Sequence, residues 1–117
     1  MQSGWQVNQK RIEKPWGYEI IWAQTDNYVG KLIHIDAGHR LSKQYHTQKE
    51  ETVYVVNGLL YDVDEFNNVQ RFDPGESFHV EPGQIHRFQA WGIAVDLIEV
   101  STNHLDDVVR LEDDYER

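Results

Sequence analysis

The sequence lacks cysteine, has no long apolar run and holds few cations for its number of acids. Without cysteine there is neither a disulfide framework nor a thiolate metal site, so any metal ligand must be histidine, carboxylate or amide. No apolar stretch approaches the roughly 18 residues of a membrane-spanning helix, and the polar start of the chain lacks the apolar segment of a secretory signal. We therefore expect a soluble, cytoplasmic protein without a membrane partner.

Positive charge is scarce, because 11 lysine and arginine residues stand against 20 aspartate and glutamate residues, for a formal net charge of -9. Nucleic acids and anionic membranes are bound by clustered cations, so both classes of partner are excluded. A chain of 117 residues is long enough for one hydrophobic core and too short for two. One domain is expected.

Short segments rich in β-branched and aromatic residues recur along the chain, separated by Gly, Pro, Asn and Asp. Their alternating apolar and polar side chains are typical of half-buried strands. The predicted strands are residues 18–23, 28–35, 52–56, 59–64, 69–72, 77–80, 85–90 and 94–100. Asn57-Gly58 favours a type I′ turn and predicts a hairpin between two of them. Many short strands at such spacing predict an all-β sandwich or barrel.

The two ends of the chain lack a clear strand pattern. Residues 1–13 are predicted to be an N-terminal arm, in which Trp5 and Val7 contact the domain (14–117) or a second subunit; the alternative is a partly ordered tail. Residues 104–113 indicate a turn or helical start followed by an exposed acidic tail. Because exposed strand edges tend to be paired or covered, we also predict a homodimer.

Four residues of metal-ligand type occur in two segments bounded by turns. Gln44 and His46 are two residues apart, so on a strand both side chains project from the same face. Glu51 follows five residues later, and His86 lies in the second segment. The set offers two nitrogen and two oxygen donors, which suit a divalent metal ion such as Zn, Mn, Fe, Co or Ni. The alternative is a barrel mouth lined by polar residues without a metal.

These segments resemble the two sequence motifs of the cupin family. The residues in register with the motifs are Gly38, His46, Glu51, Gly58, Gly75, Gly83 and His86. The sequence departs from the pattern at Gln44, where a first histidine is common, at Pro82, which is one place late, and at Ala90, which replaces an asparagine. The resemblance implies an all-β, single-domain cupin jelly-roll barrel with an N-terminal arm and a short C-terminal tail.

Two further stretches point to one branch of the cupins. Residues 14–19 (KPWGYE) and 109–113 (VRLED), the latter with Tyr115 and Arg117, resemble the C-terminal isomerase domain of bifunctional type II mannose-6-phosphate isomerase/mannose-1-phosphate guanylyltransferase enzymes. Some isomerases of this kind bind metal through Gln, His, Glu and His. The resemblance therefore implies a metal bound by Gln44, His46, Glu51 and His86. It also implies interconversion of mannose 6-phosphate and fructose 6-phosphate.

A phosphorylated substrate calls for fixed cations, and the arginine fork matches two phosphate oxygens. The predicted substrate-binding residues are Arg40, Arg87 and Arg110. The predicted catalytic residues are Lys43, Arg87 and Arg110, with Glu50 and Glu51 as further acid/base candidates and Arg117 as a further candidate in the tail. His34, His39 and His79 are predicted to be structural or surface residues.

Two other functions stay open, because one fold hosts many activities. One is metal-dependent oxygenation of a small organic substrate, against which Gln44 counts, since cupin dioxygenases commonly use three histidines. The other is a non-catalytic cupin that binds a sugar or another small ligand, as the partner of a separately encoded nucleotidyltransferase.

Overall fold

The computed structural model describes residues 6–115, and within them eleven strands and no helix are formed. The strands are β1 (Lys10–Lys14), β2 (Gly17–Gln24), β3 (Val29–Ile35), β4 (Lys43–Tyr45), β5 (Glu51–Asn57), β6 (Leu60–Val63), β7 (Val69–Phe72), β8 (Ser77–Val80), β9 (Phe88–Gln89), β10 (Val95–Ser101) and β11 (Val109–Glu112). The predicted all-β class is confirmed. The described part of the chain contains no helix long and apolar enough to span a membrane.

The strands form two antiparallel layers. The larger layer is a six-stranded sheet in the order β1-β2-β3-β10-β5-β8. The smaller layer contains the sheet β7-β6-β9 and the pair β11-β4, which isolated bridges at Arg40–Gln89 and Gln44–His86 join into one surface. This arrangement agrees with the predicted jelly roll.

The hydrophobic core fills the space between the two layers. Val55 and Leu97 are cross-strand partners in the larger layer, and Leu60 and Phe88 belong to the smaller one. All four are at most 2% exposed. Because burial of such a side chain contributes about 1.5–3 kcal/mol, this contact is the main reason the layers stay together.

The hairpin predicted at Asn57-Gly58 is wrong. β5 pairs with β10 and β8, whereas β6 pairs with β7 and β9, so the chain crosses from one layer to the other at this point. Gly58 has a φ of 79°, and a Cβ there would lie 2.2 Å from the carbonyl oxygen of Ala94. The glycine is therefore required by positive φ and close backbone approach, and not by a two-residue hairpin turn.

The two ends of the described chain are more regular than expected. β1 pairs with β2 along its full length, so the predicted boundary between arm and domain, at residues 13 and 14, falls within a strand. Residues 109–112 form β11 on β4 instead of an unpaired tail. The contact predicted for Trp5 and the role predicted for Arg117 lie outside the described residues. The homodimer stays a prediction.

One side of the sandwich is open. Within residues 6–115, β1 is hydrogen-bonded only to β2, and β11 only to β4, so no pairing joins the two layers there. A cavity of about 240 Å³ lies between the layers and is lined by residues of both β1 and β11.

Candidate metal centre

Three of the four predicted metal ligands converge in the structure. His46 directly follows β4, Glu51 begins β5, and His86 lies just before β9. The Oε1 atom of Glu51 is 3.3 Å from Nε2 of His86 and 3.6 Å from Nε2 of His46. All three residues are buried, with exposures of 3% or less. The two layers thus bring together side chains up to 40 positions apart in sequence.

Both imidazoles present an Nε2 lone pair to Glu51. Nδ1 of His46 donates to the carbonyl oxygen of Asp107, and Nδ1 of His86 donates to the carbonyl oxygen of Gln84 at 3.1 Å. Because a carbonyl only accepts, each Nδ1 carries the proton and each Nε2 is left as an acceptor.

Three acceptors therefore surround one point without a donor between them. The two Nε2 atoms and Glu51 Oε1 are buried and have no hydrogen-bond partner. A buried polar atom left unpaired costs about 1–3 kcal/mol. A divalent cation would satisfy all three atoms at once, since neutral imidazole and carboxylate are its usual protein ligands. The residues present fit a metal ion.

Gln44 lies beside this group. Its backbone N–H donates to the carbonyl oxygen of His86, and the His86 N–H donates back to Gln44, at 3.0 and 2.9 Å. The Gln44 side chain lines the cavity, and its Oε1 accepts a hydrogen bond of 2.7 Å from Ser42 Oγ. An amide oxygen has a second lone pair, so this bond leaves room for a further interaction. Metal binding by Gln44 stays a prediction.

The cavity has a polar floor and an apolar wall. His46 and Glu51 line the floor, and the ring of His86 packs against His46 with centroids 5.1 Å apart. Trp16, Leu41 and Phe88 contribute apolar surface. A ligand in the cavity would therefore meet the candidate metal centre and an apolar surface together.

Buried charges that sequence reasoning missed surround the floor. Lys49 Nζ is 3.1 Å from Glu51 Oε2 and 3.4 Å from Glu99 Oε2. Lys31 Nζ is 3.4 Å from Glu19 Oε1. All five side chains line the cavity, and each residue is at most 9% exposed. Two of these residues could have been found from the sequence. Side chains two positions apart in a strand share a face, and by this alternation Lys31 and Glu99 fall on the same face as the buried apolar residues of their strands.

The pKa values of this network follow from burial and mutual charge. Burial raises the pKa of Glu99 to about 8, and the charge of Glu51 adds to the rise. Burial alone would lower the pKa of Lys49, but the carboxylates of Glu99 and Glu51 raise it above its usual value. Burial also opposes ionisation of Glu51, yet a hydrogen bond from the neighbouring Glu99 and the positive charge of Lys49 hold its pKa well below the usual range. Glu51 is therefore the ionised carboxylate of the group.

Asp107 fixes the chain between His46 and Glu51. Its carboxylate accepts hydrogen bonds from the backbone N–H of Thr47, Gln48 and Lys49 at 2.9, 2.7 and 2.9 Å, and from Thr47 Oγ1 at 2.8 Å. These bonds, led by that from Thr47 N–H, hold the pKa of Asp107 below its usual value. The carbonyl of the same residue orients His46. One residue thus positions both a predicted ligand and the turn that carries Lys49.

Arg87 does not reach the cavity, which corrects its predicted catalytic and substrate-binding roles. It follows His86 directly, and the period of an extended chain sends its side chain to the opposite face. There it is 3% exposed, donates to the carbonyl oxygen of Leu41 at 2.9 Å and pairs with Glu112 and Asp114 at 3.3 and 3.2 Å. Arg87 ties the C-terminal segment to the smaller layer.

Other predicted site residues are also held elsewhere. Arg40 makes two hydrogen bonds to Asp114, at 2.6 and 3.0 Å. Lys43 Nζ donates to the carbonyl oxygen of Glu65 at 3.2 Å and to the Asn67 side chain at 3.1 Å. Each is therefore engaged away from the cavity.

The remaining candidates divide between the surface and the cavity. Glu50 is exposed and lies 3.0 Å from His79. His34 contacts Asp96, which agrees with the structural role predicted for it. His39, expected to be a solvated loop residue, is half-buried and contacts Tyr115. Arg110 lines the cavity, opposite Gln44 in the pairing of β11 with β4.

Sequence comparison identifies relatives over most of the chain. The family described as "Mannose-6-phosphate isomerase C-terminal" matches residues 3–113. The mannose-1-phosphate guanylyltransferase ManC of Salmonella typhimurium is 37% identical over 113 residues, which cover 92% of this chain and 23% of that protein. The chain spans about a quarter of the length of the curated relatives that it matches.

Solved structures share the fold at lower sequence identity. A cupin-like protein from Thermotoga maritima has a TM-score of 0.74 at 16% identity, over 85% of this chain and 78% of its own. A sugar phosphate isomerase from a cupin superfamily, from Silicibacter pomeroyi, has a TM-score of 0.62 at 20% identity, over 72% of this chain and 59% of its own. These similarities confirm the cupin jelly-roll fold.

Proposed function

This chain belongs to the mannose-6-phosphate isomerase C-terminal family, and from that premise we propose that it is a metal-dependent isomerase that interconverts mannose 6-phosphate and fructose 6-phosphate. The observation that carries the proposal is the buried convergence of His46, Glu51 and His86, whose facing acceptor atoms lack any donor. Two members of this group, His46 and Glu51, line the cavity between the layers, together with Gln44.

The proposed cofactor is a divalent ion, Zn, Mn, Fe, Co or Ni, held by His46, Glu51 and His86, with Gln44 as the fourth protein ligand. Bound there, it would polarise the carbonyl group of the sugar as a Lewis acid. Imidazole, carboxylate and amide donors suit these ions, and four protein ligands leave coordination positions for substrate.

The proton transfer is assigned to groups inside the cavity. Isomerisation through an enediol needs a side chain that removes a proton from the carbon beside the carbonyl and returns it to the neighbouring carbon. Lys43, Arg87 and Glu50 are engaged elsewhere, so they are not retained for this step. Glu99 lines the cavity and is the proposed acid/base group, because its pKa of about 8 lies near neutral pH. Lys49, whose pKa is raised above its usual value, stays charged and holds the carboxylates of Glu51 and Glu99 in place.

Arg110 is the predicted phosphate-binding residue that the structure supports. It lines the cavity from β11, and within residues 6–115 its side chain has no ion-pair or hydrogen-bond partner. An exposed guanidinium at this place is free to bind a phosphate group with two parallel hydrogen bonds.

The test is a coupled assay of mannose 6-phosphate conversion by the full chain, stripped of metal and then loaded separately with each of the five ions. We expect turnover with at least one ion, and loss of both turnover and bound metal in His46→Ala. His79→Ala is the matched control, because it removes an exposed histidine outside the cavity and should leave both readouts unchanged. Wild-type protein that binds hexose phosphate but converts none with any ion would replace this proposal with the sugar-binding cupin.

A further inference from the structure

The distribution of paired and unpaired cations is uneven. Most lysine and arginine side chains of residues 6–115 are bound by carboxylate, carbonyl or amide oxygens, namely Arg11, Lys31, Arg40, Lys43, Lys49, Arg71 and Arg87. Lys10, Lys14 and Arg110 have no such partner within the same residues. In a chain with a net charge of -9, these three side chains are therefore a source of positive charge that no neighbouring acid offsets.

All three unpaired cations line the cavity that also contains His46 and Glu51 of the candidate metal centre. Lys10 and Lys14 alternate with Ile12 on the inner face of β1, and Arg110 projects from β11. Because β1 and β11 are the outer strands on the open side of the sandwich, these cations border the opening of the cavity.

The acidic residues of the cavity do not neutralise them. Glu19 is paired with Lys31, and Lys49 lies between Glu51 and Glu99. The carboxylate of Asp107 is bound by backbone N–H groups. Among the cavity residues, Asp106 is an acid whose side chain has no hydrogen-bond or ion-pair partner in the described chain. The opening is therefore positive while the floor is a balanced network.

We propose that Lys10, Lys14 and Arg110 form a phosphate-binding rim at the opening of the cavity. The ligand is the phosphate ester of a sugar whose oxygens face His46 and Glu51, so the inference rests on the proposed function. A phosphate ester carries about 1.5 to 2 negative charges at neutral pH. The guanidinium binds two of its oxygens, and the lysines supply compact positive charges from the other layer.

The spacing on β1 allows both lysines to take part. Four residues of strand separate Lys10 from Lys14 by about 13 Å, with both side chains on one face. The long flexible lysine side chains can shorten this separation, so a phosphate between them and Arg110 is contacted from both layers. β1 thus acquires a binding role in addition to its place at the sheet edge.

The test is calorimetric titration of the metal-loaded full chain with mannose 6-phosphate, mannose 1-phosphate and mannose. The variants are Lys10→Gln, Lys14→Gln and Arg110→Gln, and Arg71→Gln is the matched control, since Arg71 is exposed, paired with Asp73 and outside the cavity. Each rim variant should raise the Kd for at least one sugar phosphate roughly three- to tenfold. The control should change the Kd less than about twofold. Binding of mannose should be unaffected by all four substitutions.

Charge-conserving and charge-removing variants sharpen the result. Lys10→Arg and Lys14→Arg should retain most of the affinity, and Asp106→Asn should tighten binding of the phosphorylated sugars. The proposal is overturned if wild-type protein binds sugar phosphates no better than mannose, or if all three rim variants bind like wild type. It is also overturned if Arg71→Gln weakens binding equally. If the rim variants raise the Kd for sugar phosphates as expected but the wild-type protein isomerises none of them, the proposed function is rejected and the phosphate-binding rim is retained.

Discussion

The inner face of the six-stranded sheet has an apolar end and a charged end, both built by the same strands. At one end Ile33 of β3 lies opposite Leu97 of β10, and two residues along the same strands Lys31 lies opposite Glu99. All four residues are at most 8% exposed, so burial does not distinguish the two ends. The difference is chemical, and it shows that one alternating pattern can build a core and a site side by side.

The two ends contribute differently to the free energy of folding. The apolar end stabilises the protein through burial of surface, at about 25 cal/mol per Å². Buried charges lose hydration, and their pairing only partly offsets this loss. We therefore expect substitutions at the apolar end to change stability, and substitutions at the charged end to change ligand binding.

Glu51→Gln should give the largest effect and would separate the two ends most clearly. The substitution keeps the size of the side chain but removes the proposed anionic ligand, and Lys49 retains Glu99 as a partner. Metal affinity, measured by competition with a chelator, should fall about 1000-fold, which is about 4 kcal/mol. Glu50→Gln, an exposed neighbour paired with His79, is the control and should bind metal normally. Unchanged metal affinity in Glu51→Gln would show that the charged end of the sheet does not bind the metal through Glu51.

Leu97→Ala tests the apolar end. Leu97 is fully buried, so the substitution leaves a cavity and should lower the free energy of unfolding by about 3 kcal/mol in urea denaturation. Metal affinity of the folded variant should match that of wild type. Val100→Ala on the outer face of β10, where Val100 is 49% exposed, should change stability by less than about 0.5 kcal/mol. If folded Leu97→Ala lost as much metal affinity as Glu51→Gln, the apolar end and the charged end would not have separate roles in stability and binding.

Glu99→Gln should change how the free energy of unfolding depends on pH. The pKa of Glu99 rises from 4.5 to about 8 on folding, so its contribution to stability is fully present below pH 4.5 and is lost as the pH rises through 8. Metal-stripped wild-type protein should therefore lose on the order of 2 kcal/mol between pH 5 and 8, relative to Glu99→Gln. If the free energies of unfolding of the two proteins changed in parallel between pH 5 and 8, the raised pKa of Glu99 would be contradicted.

Asp107→Asn should have the smallest effect, because it acts on the charged end only through positioning. The amide has one acceptor oxygen for the four hydrogen bonds that the carboxylate now accepts, so the turn at residues 47–49 loosens. Metal affinity should fall about tenfold, as is common when a group that positions a ligand is lost. Asp106→Asn removes the same charge without breaking a hydrogen bond and should leave metal affinity unchanged.

Much of the fold was predictable because strand periodicity is a local property. The segments around Tyr54, Leu32 and Ile98 were placed correctly, since alternation and β-branched content mark strands without knowledge of their partners. The hairpin at Asn57-Gly58 failed because the dipeptide reports positive φ and not which strand is the neighbour. Pairing is a property of the whole topology, and no short motif carries it.

The candidate site was predictable where a motif described it and not elsewhere. His46, Glu51 and His86 were found from spacing and resemblance, and the structure brings them together. Lys31 and Glu99 were missed, because a charge in a strand is read as an outward position until the register places it inside. Lys49 was missed because it lies in the turn between β4 and β5, where a charged side chain is ordinarily exposed to solvent. Arg87 was assigned to the site because it follows His86 directly, but adjacent residues of an extended chain point to opposite faces, and the structure leaves its side chain away from the cavity.

The most direct test of the metal centre is anomalous diffraction from crystals of the full chain grown with Zn. We predict one peak about 2.0–2.2 Å from His46 Nε2, His86 Nε2 and a Glu51 carboxylate oxygen, with the Gln44 oxygen as the fourth ligand. The exposed cluster of Glu50, His79 and Glu81 also has atoms close enough to bind a cation and serves as an internal comparison. No peak at the buried group, or a peak at the exposed cluster alone, would contradict a metal centre at the charged end of the sheet.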